Sequence, residues 1–268
     1  MLIRAIAAAL LALTSSAVQE RAAPAGRVDV RYVANAGVLL TIDGRKLLID
    51  VPIRDGIPPY TVPSNDERTR LEGARPPYDS LAAILITHWH EDHFSPEAVA
   101  AHLRASPLTL LISSNEVVGR VRAVAADLPA ARFRAATPAA GTSLAVPLDN
   151  LQIHVLRIRH SPARRLPAEH VGFLVQGTKT ILHVGDADAS GGNFSLLARL
   201  PPVDVALVPF WFLTDVGTAT NTVAAVIRPR HMIGLHLPAA DAAKASETLT
   251  AARITARLLR TPGEVVSF

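Results

Sequence analysis

The strongest constraint on the fold of this chain is a histidine-rich turn at 87–94 that joins a predicted strand to a predicted helix. The apolar run 81–86 comes directly before it and is typical of a buried strand. Ser95, Pro96 and Glu97 follow it and match a helix start, with a capping hydroxyl, a proline and an acid in the first turn. The turn itself carries three histidines and two acids within six residues: His88, His90, Glu91, Asp92 and His93. A loop fixed by two rigid elements is a suitable place for metal ligands.

The spacing of these side chains predicts two neighbouring metal positions. His88 and His90 are two residues apart, so extended backbone would turn both imidazoles to one side, where they could share one ion. Asp92 and His93 come later in the turn and could face a second ion. Neutral imidazole and carboxylate are ligands that zinc prefers. The alternative is a solvated loop that is rich in histidine by chance, which is disfavoured because the whole chain contains only 10 histidines.

The pattern His-x-His-x-Asp-His after a strand resembles the signature of the metallo-β-lactamase-fold hydrolases. The later motifs of that family have counterparts here in the same order. His160 ends a predicted strand, Gly185 and Asp186 follow a predicted hairpin, and His236 ends a short apolar strand. The resemblance covers nearly all of the chain after its first residues. It implies an α/β fold, the four-layer αβ/βα sandwich, with the metals at one edge of the two sheets.

The resemblance also implies a role for each ligand residue. It assigns the first metal to His88, His90 and His160 and the second to Asp92, His93 and His236, with Asp186 bridging the two. Two Zn²⁺ ions would then share a hydroxide that attacks an ester, lactone, amide or phosphoester bond of a small-molecule substrate. Asp92 would be the catalytic residue that orients this nucleophile or passes its proton. Asp50, at a predicted strand end, would orient the metal loop, although a turn-capping role fits the sequence equally well.

The fold that the resemblance implies does not decide the reaction, since many chemistries share it. The alternatives are an iron-dependent sulfur dioxygenase with one iron, a secreted metallo-β-lactamase and a non-catalytic binding protein. A true β-lactamase would usually lack the bridging acid or carry a cysteine ligand, whereas this chain has Asp186 and no cysteine. The complete set of ligand positions disfavours a binding protein. The pattern is therefore closer to lactonase-like and general metal-dependent hydrolases.

Residues 1–17 predict a secretory signal peptide, with Arg4 before an apolar run and small residues at the spacing of a cleavage site. Cleavage after Ala17 would leave 18–26 as a flexible lead-in and 27–268 as one hydrolase domain, in a periplasmic or extracellular protein. No later apolar run is long enough to span a membrane. The net charge is only +4, and the arginines form no stripe with aromatic residues among them, which disfavours a nucleic-acid partner.

Other segments give less specific predictions. Residues 52–80 are rich in proline, charge and turn formers and predict a long loop, interpreted as a flap over the site or as structural padding. A helix is predicted near 96–105, with His102 exposed on it. Ser113 and Glu116 have the spacing of a capping box that would open the next helix.

Several residues outside the motifs could pack around the site or line it. His154 is predicted to lie in the core or at a sheet edge, His183 to pack near the site, and His170 to lie at the surface rather than in a pocket wall. Three consecutive aromatic residues follow a predicted strand at 203–208: Phe210, Trp211 and Phe212. They belong either to the core or to a pocket, because ligands bind at strand ends in such sheets.

Overall fold

The fold is described by a computed structural model of residues 26–162 and 167–268. The predicted signal peptide, and the lead-in except Gly26, lie outside the described residues. The strands are β1 (Val28–Ala34), β2 (Gly37–Ile42), β3 (Arg45–Ile49), β4 (Leu81–Ile86), β5 (Leu110–Ser113), β6 (Phe133–Ala135), β7 (Ser143–Leu148), β8 (Leu151–Leu156), β9 (Gly172–Gln176), β10 (Thr180–His183), β11 (Val205–Pro209), β12 (His231–Leu235), β13 (Arg257–Leu258) and β14 (Val265–Ser267). The helices are α1 (Asn65–Glu72), α2 (Pro96–Ala105), α3 (Asn115–Val124), α4 (Trp211–Thr214), α5 (Thr218–Asn221) and α6 (Ala242–Ala251). Within these ranges, no helix combines the length and the apolar character that a membrane span requires.

The strands of the described residues form two seven-stranded sheets. The order in the first sheet is β14-β1-β2-β3-β4-β5-β6, and the order in the second is β13-β12-β11-β10-β9-β8-β7. Strand β14 pairs antiparallel with β1, so the first sheet contains a strand from the far end of the chain. Strands β3, β4 and β5 are parallel neighbours, and so are β10, β11 and β12.

Three apolar clusters show that the sheets and helices form four layers. The middle cluster joins inner faces of both sheets, for example Leu85 of β4 and Phe173 of β9. A second cluster packs the outer face of the first sheet against α2 and α3, with Val99 and Val117 among its members. A third cluster covers the outer face of the second sheet and includes Phe212 of α4. The predicted four-layer αβ/βα sandwich is therefore confirmed.

Strand β4 carries the histidine-rich turn, and its sequence explains where it lies. Leu85 faces the middle cluster, whereas Ile84 and Ile86 face the helices of the first sheet, because successive side chains of a strand point to opposite faces. All three are fully buried, as expected of a strand covered on both sides. Helix α2 then begins as predicted, since the Ser95 hydroxyl accepts a hydrogen bond from the backbone N–H of Ala98.

The prediction of a continuous loop at 52–80 is wrong, because this segment contains α1. Leu71 is the one buried residue of α1, so its sequence shows almost no apolar periodicity. The Ser64 hydroxyl accepts a hydrogen bond from the N–H of Glu67 and caps the helix. Helix α1 packs against α2 and covers His102, which is buried rather than exposed as predicted. The Nδ1–H of His102 donates to the carbonyl of Leu71.

The predicted capping box of α3 is wrong by one residue. Ser114, not Ser113, is the cap, and its side chain accepts a hydrogen bond from the N–H of Val117. The hydroxyl of Ser113 donates to the carbonyl of Ile86 on the neighbouring strand instead. The Glu116 carboxylate accepts from the N–H of Glu169, so it ties α3 to the segment that follows His160.

Candidate metal centre

Side chains suited to metal binding meet where strands of both sheets end. The histidine-rich turn follows β4 in the first sheet, and His160, Asp186 and His236 follow β8, β10 and β12 in the second. Strands β10, β11 and β12 are parallel, so their carboxyl ends lie at one edge, where such sheets bind ligands. All seven predicted ligands come together there in two groups, one of His88, His90 and His160 and one of Asp92, His93, Asp186 and His236.

The first group consists of three imidazoles. The candidate ligand atoms of His88, His90 and His160 all lie within 4.8 Å of one another. The ring centroid of His88 is 4.5 Å from that of His90 and 4.8 Å from that of His160. His88 and His90 are buried, while His160 is partly exposed. This group therefore presents three nitrogen ligands to one point.

The second group combines two carboxylates with two imidazoles. The Oδ1 of Asp186 lies 3.1 Å from the Nε2 of His93 and 3.3 Å from the Nε2 of His236. The Oδ2 of Asp92 lies 3.2 Å from the Nε2 of His236. All four side chains are buried. The group therefore offers mixed oxygen and nitrogen ligands.

Asp186 lies between the two groups. Its Oδ1 faces the second group, and its Oδ2 lies 4.0 Å from the Nε2 of His160 in the first. The backbone fixes this position, because the carbonyl of Asp186 accepts a hydrogen bond of 2.7 Å from the N–H of Ser161. Gly185 turns the chain with a φ of 55°, a left-handed conformation that favours glycine. A Cβ on Gly185 would lie 2.6 Å from the Oγ1 of Thr87, so this approach also requires glycine.

The residues present fit divalent cations. The Nε2 atoms of His93 and His236 and the Oδ1 of Asp186 are buried, and among the described residues none of the three makes a hydrogen bond. Polar atoms that converge in a buried place without hydrogen bonds are costly unless another group satisfies them. A cation at this point would do so, and imidazole with carboxylate suits zinc or iron.

Two of the candidate ligands have protonation states that suit metal binding. Burial raises the pKa of Asp186, but the charges of His236 and His93 outweigh this effect and hold the pKa well below its usual value. Burial, followed by the charge of His93, holds the pKa of His88 well below its usual value. Asp186 is therefore anionic and His88 neutral at neutral pH, which are the forms that bind metal. For His93 and His236 burial lowers the pKa but the charge of Asp186 raises it above its usual value, so both imidazoles must release a proton to bind a metal.

Asp50 contacts the first residue of the histidine-rich turn and one of its imidazoles. Its Oδ1 accepts a hydrogen bond of 2.7 Å from the N–H of Thr87, and its Oδ2 accepts one of 2.8 Å from the Thr87 hydroxyl. The same Oδ2 lies 2.9 Å from the Nδ1 of His93. Strand β3, which ends directly before Asp50, is parallel to β4, which ends before Thr87. This geometry favours the orienting role of Asp50 over the turn-capping role that the sequence left open.

Comparison with known proteins identifies the family. The model of the beta-lactamase superfamily domain matches residues 53–256. The chain belongs to the beta-lactamase superfamily. A UPF0173 metal-dependent hydrolase of Hyperthermus butylicus is 26% identical over 249 residues, which cover 89% of this chain and 99% of the relative. The predicted resemblance and the predicted class of enzyme, a metal-dependent hydrolase, are thereby confirmed.

Solved structures of this superfamily fold include enzymes of different chemistry. The isothiocyanate hydrolase from Delia radicum gut bacteria superposes with a TM-score of 0.62 at 17% identity, covering 90% of this chain and 99% of that one. CmlA, a diiron β-hydroxylase from Streptomyces venezuelae, superposes with a TM-score of 0.60 at 14% identity, covering 92% of this chain and 54% of that one. At these identities the likeness concerns the fold alone.

Asn35 is a site residue of this superfamily member that the sequence analysis missed. Its Nδ2 donates to the carbonyl of Asp92 at 2.9 Å and contacts the Asp92 Oδ2 at 3.3 Å. The backbone carbonyl of Asn35 accepts a hydrogen bond of 3.0 Å from the backbone N–H of His236. Asn35 thus links two residues of the second group. Its sequence signal is that of a turn between β1 and β2, where asparagine is common at positive φ, and it matches no chemical motif.

Two further histidines, His170 and His183, are buried next to the candidate ligands. His170 is buried, so its predicted surface position is wrong; burial lowers its pKa to about 3, with the charge of His160 adding to the effect. His183 packs near the site as predicted, with its Nε2 2.9 Å from the carbonyl of Ala36 and its Nδ1 4.0 Å from the Asp50 carboxylate. His154 is half-buried away from these residues and lies 3.0 Å from the Oε1 of Gln176 on β9.

Both interpretations of the aromatic run hold for different residues. Phe212 is fully buried and belongs to the outer core of the second sheet. Trp211 is half-buried, and its ring centroid lies 5.2 Å from that of His236. Tyr60, from the segment between β3 and α1, approaches the same imidazole at 4.1 Å. Part of the 52–80 segment therefore reaches the site, as the flap interpretation required.

Proposed function

We propose that this member of the beta-lactamase superfamily is a binuclear zinc hydrolase of a small-molecule substrate. The observation that carries the proposal is the position of Asp186 between two groups of ligands. Its Oδ1 lies within 3.3 Å of two imidazoles of the second group, and its Oδ2 lies 4.0 Å from the His160 Nε2 of the first. A carboxylate turned to both groups suits two ions roughly 3.5–4 Å apart.

The chain would supply ligands and orientation for this chemistry. His88, His90 and His160 would hold the first ion, Asp92, His93 and His236 the second, and Asp186 both. Two such ions would lower the pKa of a bound water to about 7 and polarise the bond under attack. Burial raises the pKa of Asp92, but the His236 imidazole, 3.2 Å from its Oδ2, and the charge of His93 lower the pKa to about 2. Asp92 therefore stays anionic at neutral pH and is suited to orient the nucleophile.

Ester, lactone, amide and phosphoester bonds all fit a centre of this kind. Each has an electrophilic carbon or phosphorus beside an oxygen that a cation can polarise. The buried carboxylate of Asp186 and the lack of cysteine in the sequence argue against a true β-lactamase. The likeness to an isothiocyanate hydrolase makes the isothiocyanate group a further bond to test.

Iron is the alternative metal. The imidazole and carboxylate donors suit iron as well as zinc, and CmlA, which shares the fold, is a diiron β-hydroxylase. An iron-dependent sulfur dioxygenase would use one iron, held by the first group. The metal content of the purified protein separates the two functions.

Elemental analysis and a substrate panel test the proposal together. The purified protein should hold close to two zinc ions after loading. The zinc-loaded protein should hydrolyse at least one of esters, lactones, amides, phosphodiesters, β-lactams and isothiocyanates, and chelator-treated protein should not. One iron per chain with sulfur dioxygenase activity would support the alternative. No divalent ion after loading would end the proposal.

We also propose that the protein is exported to the periplasm or the extracellular space. The support is the signal-like composition of residues 1–17, with Arg4 before an apolar run and Ala17 at the end. N-terminal sequencing of the protein from its native cell should begin near Val18. An intact Met1 on cytoplasmic protein would refute export.

A further inference from the structure

Histidines that bind metals usually anchor their second ring nitrogen by a hydrogen bond, which fixes the ring orientation. Three histidines of the centre follow this rule through Nδ1. That of His88 lies 2.9 Å from the Thr87 hydroxyl, and that of His93 lies 2.9 Å from the Asp50 carboxylate. The Nδ1 of His160 lies 2.6 Å from the carbonyl of Ser161. Their imidazoles are therefore held by polar contacts.

His236 is held differently. Its Nδ1 is buried, and within residues 26–162 and 167–268 it makes no hydrogen bond. Its backbone has a φ of 59°, which is uncommon for a residue other than glycine. The backbone N–H donates to the carbonyl of Asn35, but this contact leaves rotation of the side chain free. The Nε2 lies 3.2 Å from the Asp92 Oδ2 and 3.3 Å from the Asp186 Oδ1, so on the Nδ1 side only packing can restrict the ring.

Three rings border the imidazole: that of His93, itself a candidate ligand, at 5.1 Å and 33°, and the aromatic rings of Tyr60 and Trp211. The ring of Tyr60 meets the His236 imidazole at 4.1 Å and 74°, and the ring of Trp211 meets it at 5.2 Å and 72°. Both contacts are edge-to-face, a favourable geometry for aromatic pairs. The two rings come from separate segments of the chain, so together they restrict rotation of the imidazole.

We propose that Tyr60 and Trp211 are positioning residues that orient His236 in place of a hydrogen bond and so set the affinity of the second metal position. The inference rests on the proposed binuclear function. It makes the two positions unequal, because polar contacts hold His88 and His160 of the first group, whereas His236 of the second group depends on aromatic contacts.

The two rings have different supports. Trp211 follows Phe210, whose N–H donates to the carbonyl of Leu235 at 2.8 Å, so Trp211 is tied to the strand that carries His236. Tyr60 is held by a turn in which its N–H donates to the carbonyl of Ile57 at 3.0 Å. Because Tyr60 lies in the segment between β3 and α1, a shift of this segment should change the orientation of His236 and so the affinity for the second ion.

Stepwise metal titration tests the inference. Apo protein is titrated with Zn²⁺ against a chromophoric chelator and, separately, with Co²⁺ while its visible absorption is recorded. Tyr60→Ala and Trp211→Ala should each lower the affinity for the second ion by about threefold to tenfold. The double variant should lower this affinity by about tenfold to a hundredfold. Tyr60→Phe keeps the ring and should keep the second ion. The affinity for the first ion should stay within about twofold of the wild-type value in every variant.

Phe268→Ala is the matched control, since Phe268 lies against His231 at the other end of β12, with ring centroids 5.0 Å apart. It should leave both ions in place. If the wild type binds two ions and the alanine variants bind the second as tightly, the inference is wrong and the proposed function stands. Loss of both ions together, or a change in KM alone, would also overturn it. If the wild type binds fewer than two ions, the proposed function and this inference fail together.

Discussion

At the scale of single residues, Asp50 connects the fold to the metal centre. It is fully buried and contacts both the backbone of the histidine-rich turn and the imidazole of His93. Burial raises the pKa of Asp50, but the charge of His93 and the hydrogen bond with His93 outweigh this effect. The pKa of Asp50 therefore lies below its usual value. Asp50 is therefore an anion that contacts His93, a candidate ligand, and belongs to neither ligand group.

Asp50→Asn should weaken metal binding by about tenfold to a hundredfold, because it removes the charge that orients His93. Asp43→Asn is the matched control. Asp43 also accepts hydrogen bonds, from the N–H and hydroxyl of Thr178, but it lies at the opposite end of β3. Chelator competition measures both variants. Unchanged affinity in Asp50→Asn would contradict the orienting role.

Gly185→Ala should displace Asp186 and release metal. A Cβ at Gly185 would lie 2.6 Å from the Thr87 Oγ1 and 2.9 Å from the His170 Nε2, in a left-handed backbone that itself costs about 1–2 kcal/mol. Gly44→Ala is the control, since Gly44 has a φ of +77° and nothing within 4 Å of its Cβ position. It should lose stability in urea but keep its ions. Full metal content in Gly185→Ala would contradict this account.

The sequence predicted the residues with recognisable chemistry and missed those that act by geometry. His88 to His93 stand in a pattern with a chemical meaning, so they could be found. Asn35 and Tyr60 carry no such pattern, and each reaches His236 through a turn or segment whose path no local signal predicts. The role of Asp50 stayed open because one acid at a strand end fits several functions.

At the scale of elements, α1 shows where local pattern and packing diverge. Its sequence is almost wholly polar, with only Leu71 buried, so hydrophobic periodicity gave no helix. The signal that could have found it is the cap, since Ser64 and Glu67 have the Ser-x-x-Glu spacing. Because α1 was missed, His102 on α2 was wrongly predicted to be exposed, whereas it contacts the Leu71 carbonyl of α1.

His102→Ala should lower the free energy of unfolding by about 1–3 kcal/mol at neutral pH, because the Leu71 carbonyl loses its donor. Burial holds the pKa of His102 below its usual value, so the folded state keeps the ring neutral. The unfolded state takes up a proton as the pH falls through about 6.5, and the wild type loses stability there. The effect of the mutation should thus be largest above about pH 7.

Urea unfolding at several pH values measures this difference. His154→Ala is the control, since His154 is half-buried and contacts a side chain, Gln176, rather than a helix end. Its effect should be smaller at every pH. A difference between wild type and His102→Ala that grows on acidification would contradict the assigned burial effect.

At the scale of the whole molecule, the centre exists only because the two sheets meet. The turn after β4 supplies His88 to His93 from the first sheet, and His160, Asp186 and His236 come from the second. The four layers were predicted from the family resemblance, whereas the alternation of strands and helices by itself indicates only a layered α/β fold. The convergence of the ligands was implied only by the family resemblance, since no short stretch encodes the strand pairing that brings Asp186 to the turn after β4.

Metal titration of Asp186→Asn tests the central claim, a bridged pair of ions, most directly. The amide removes the charge that screens repulsion between two neighbouring cations. The second ion should be lost first, because its group has only two imidazoles beside Asp92, and hydrolysis should fall by about a hundredfold or more in a protein that remains folded. His154→Ala should keep both ions. If Asp186→Asn binds two ions with full activity, the bridge and the binuclear mechanism are wrong.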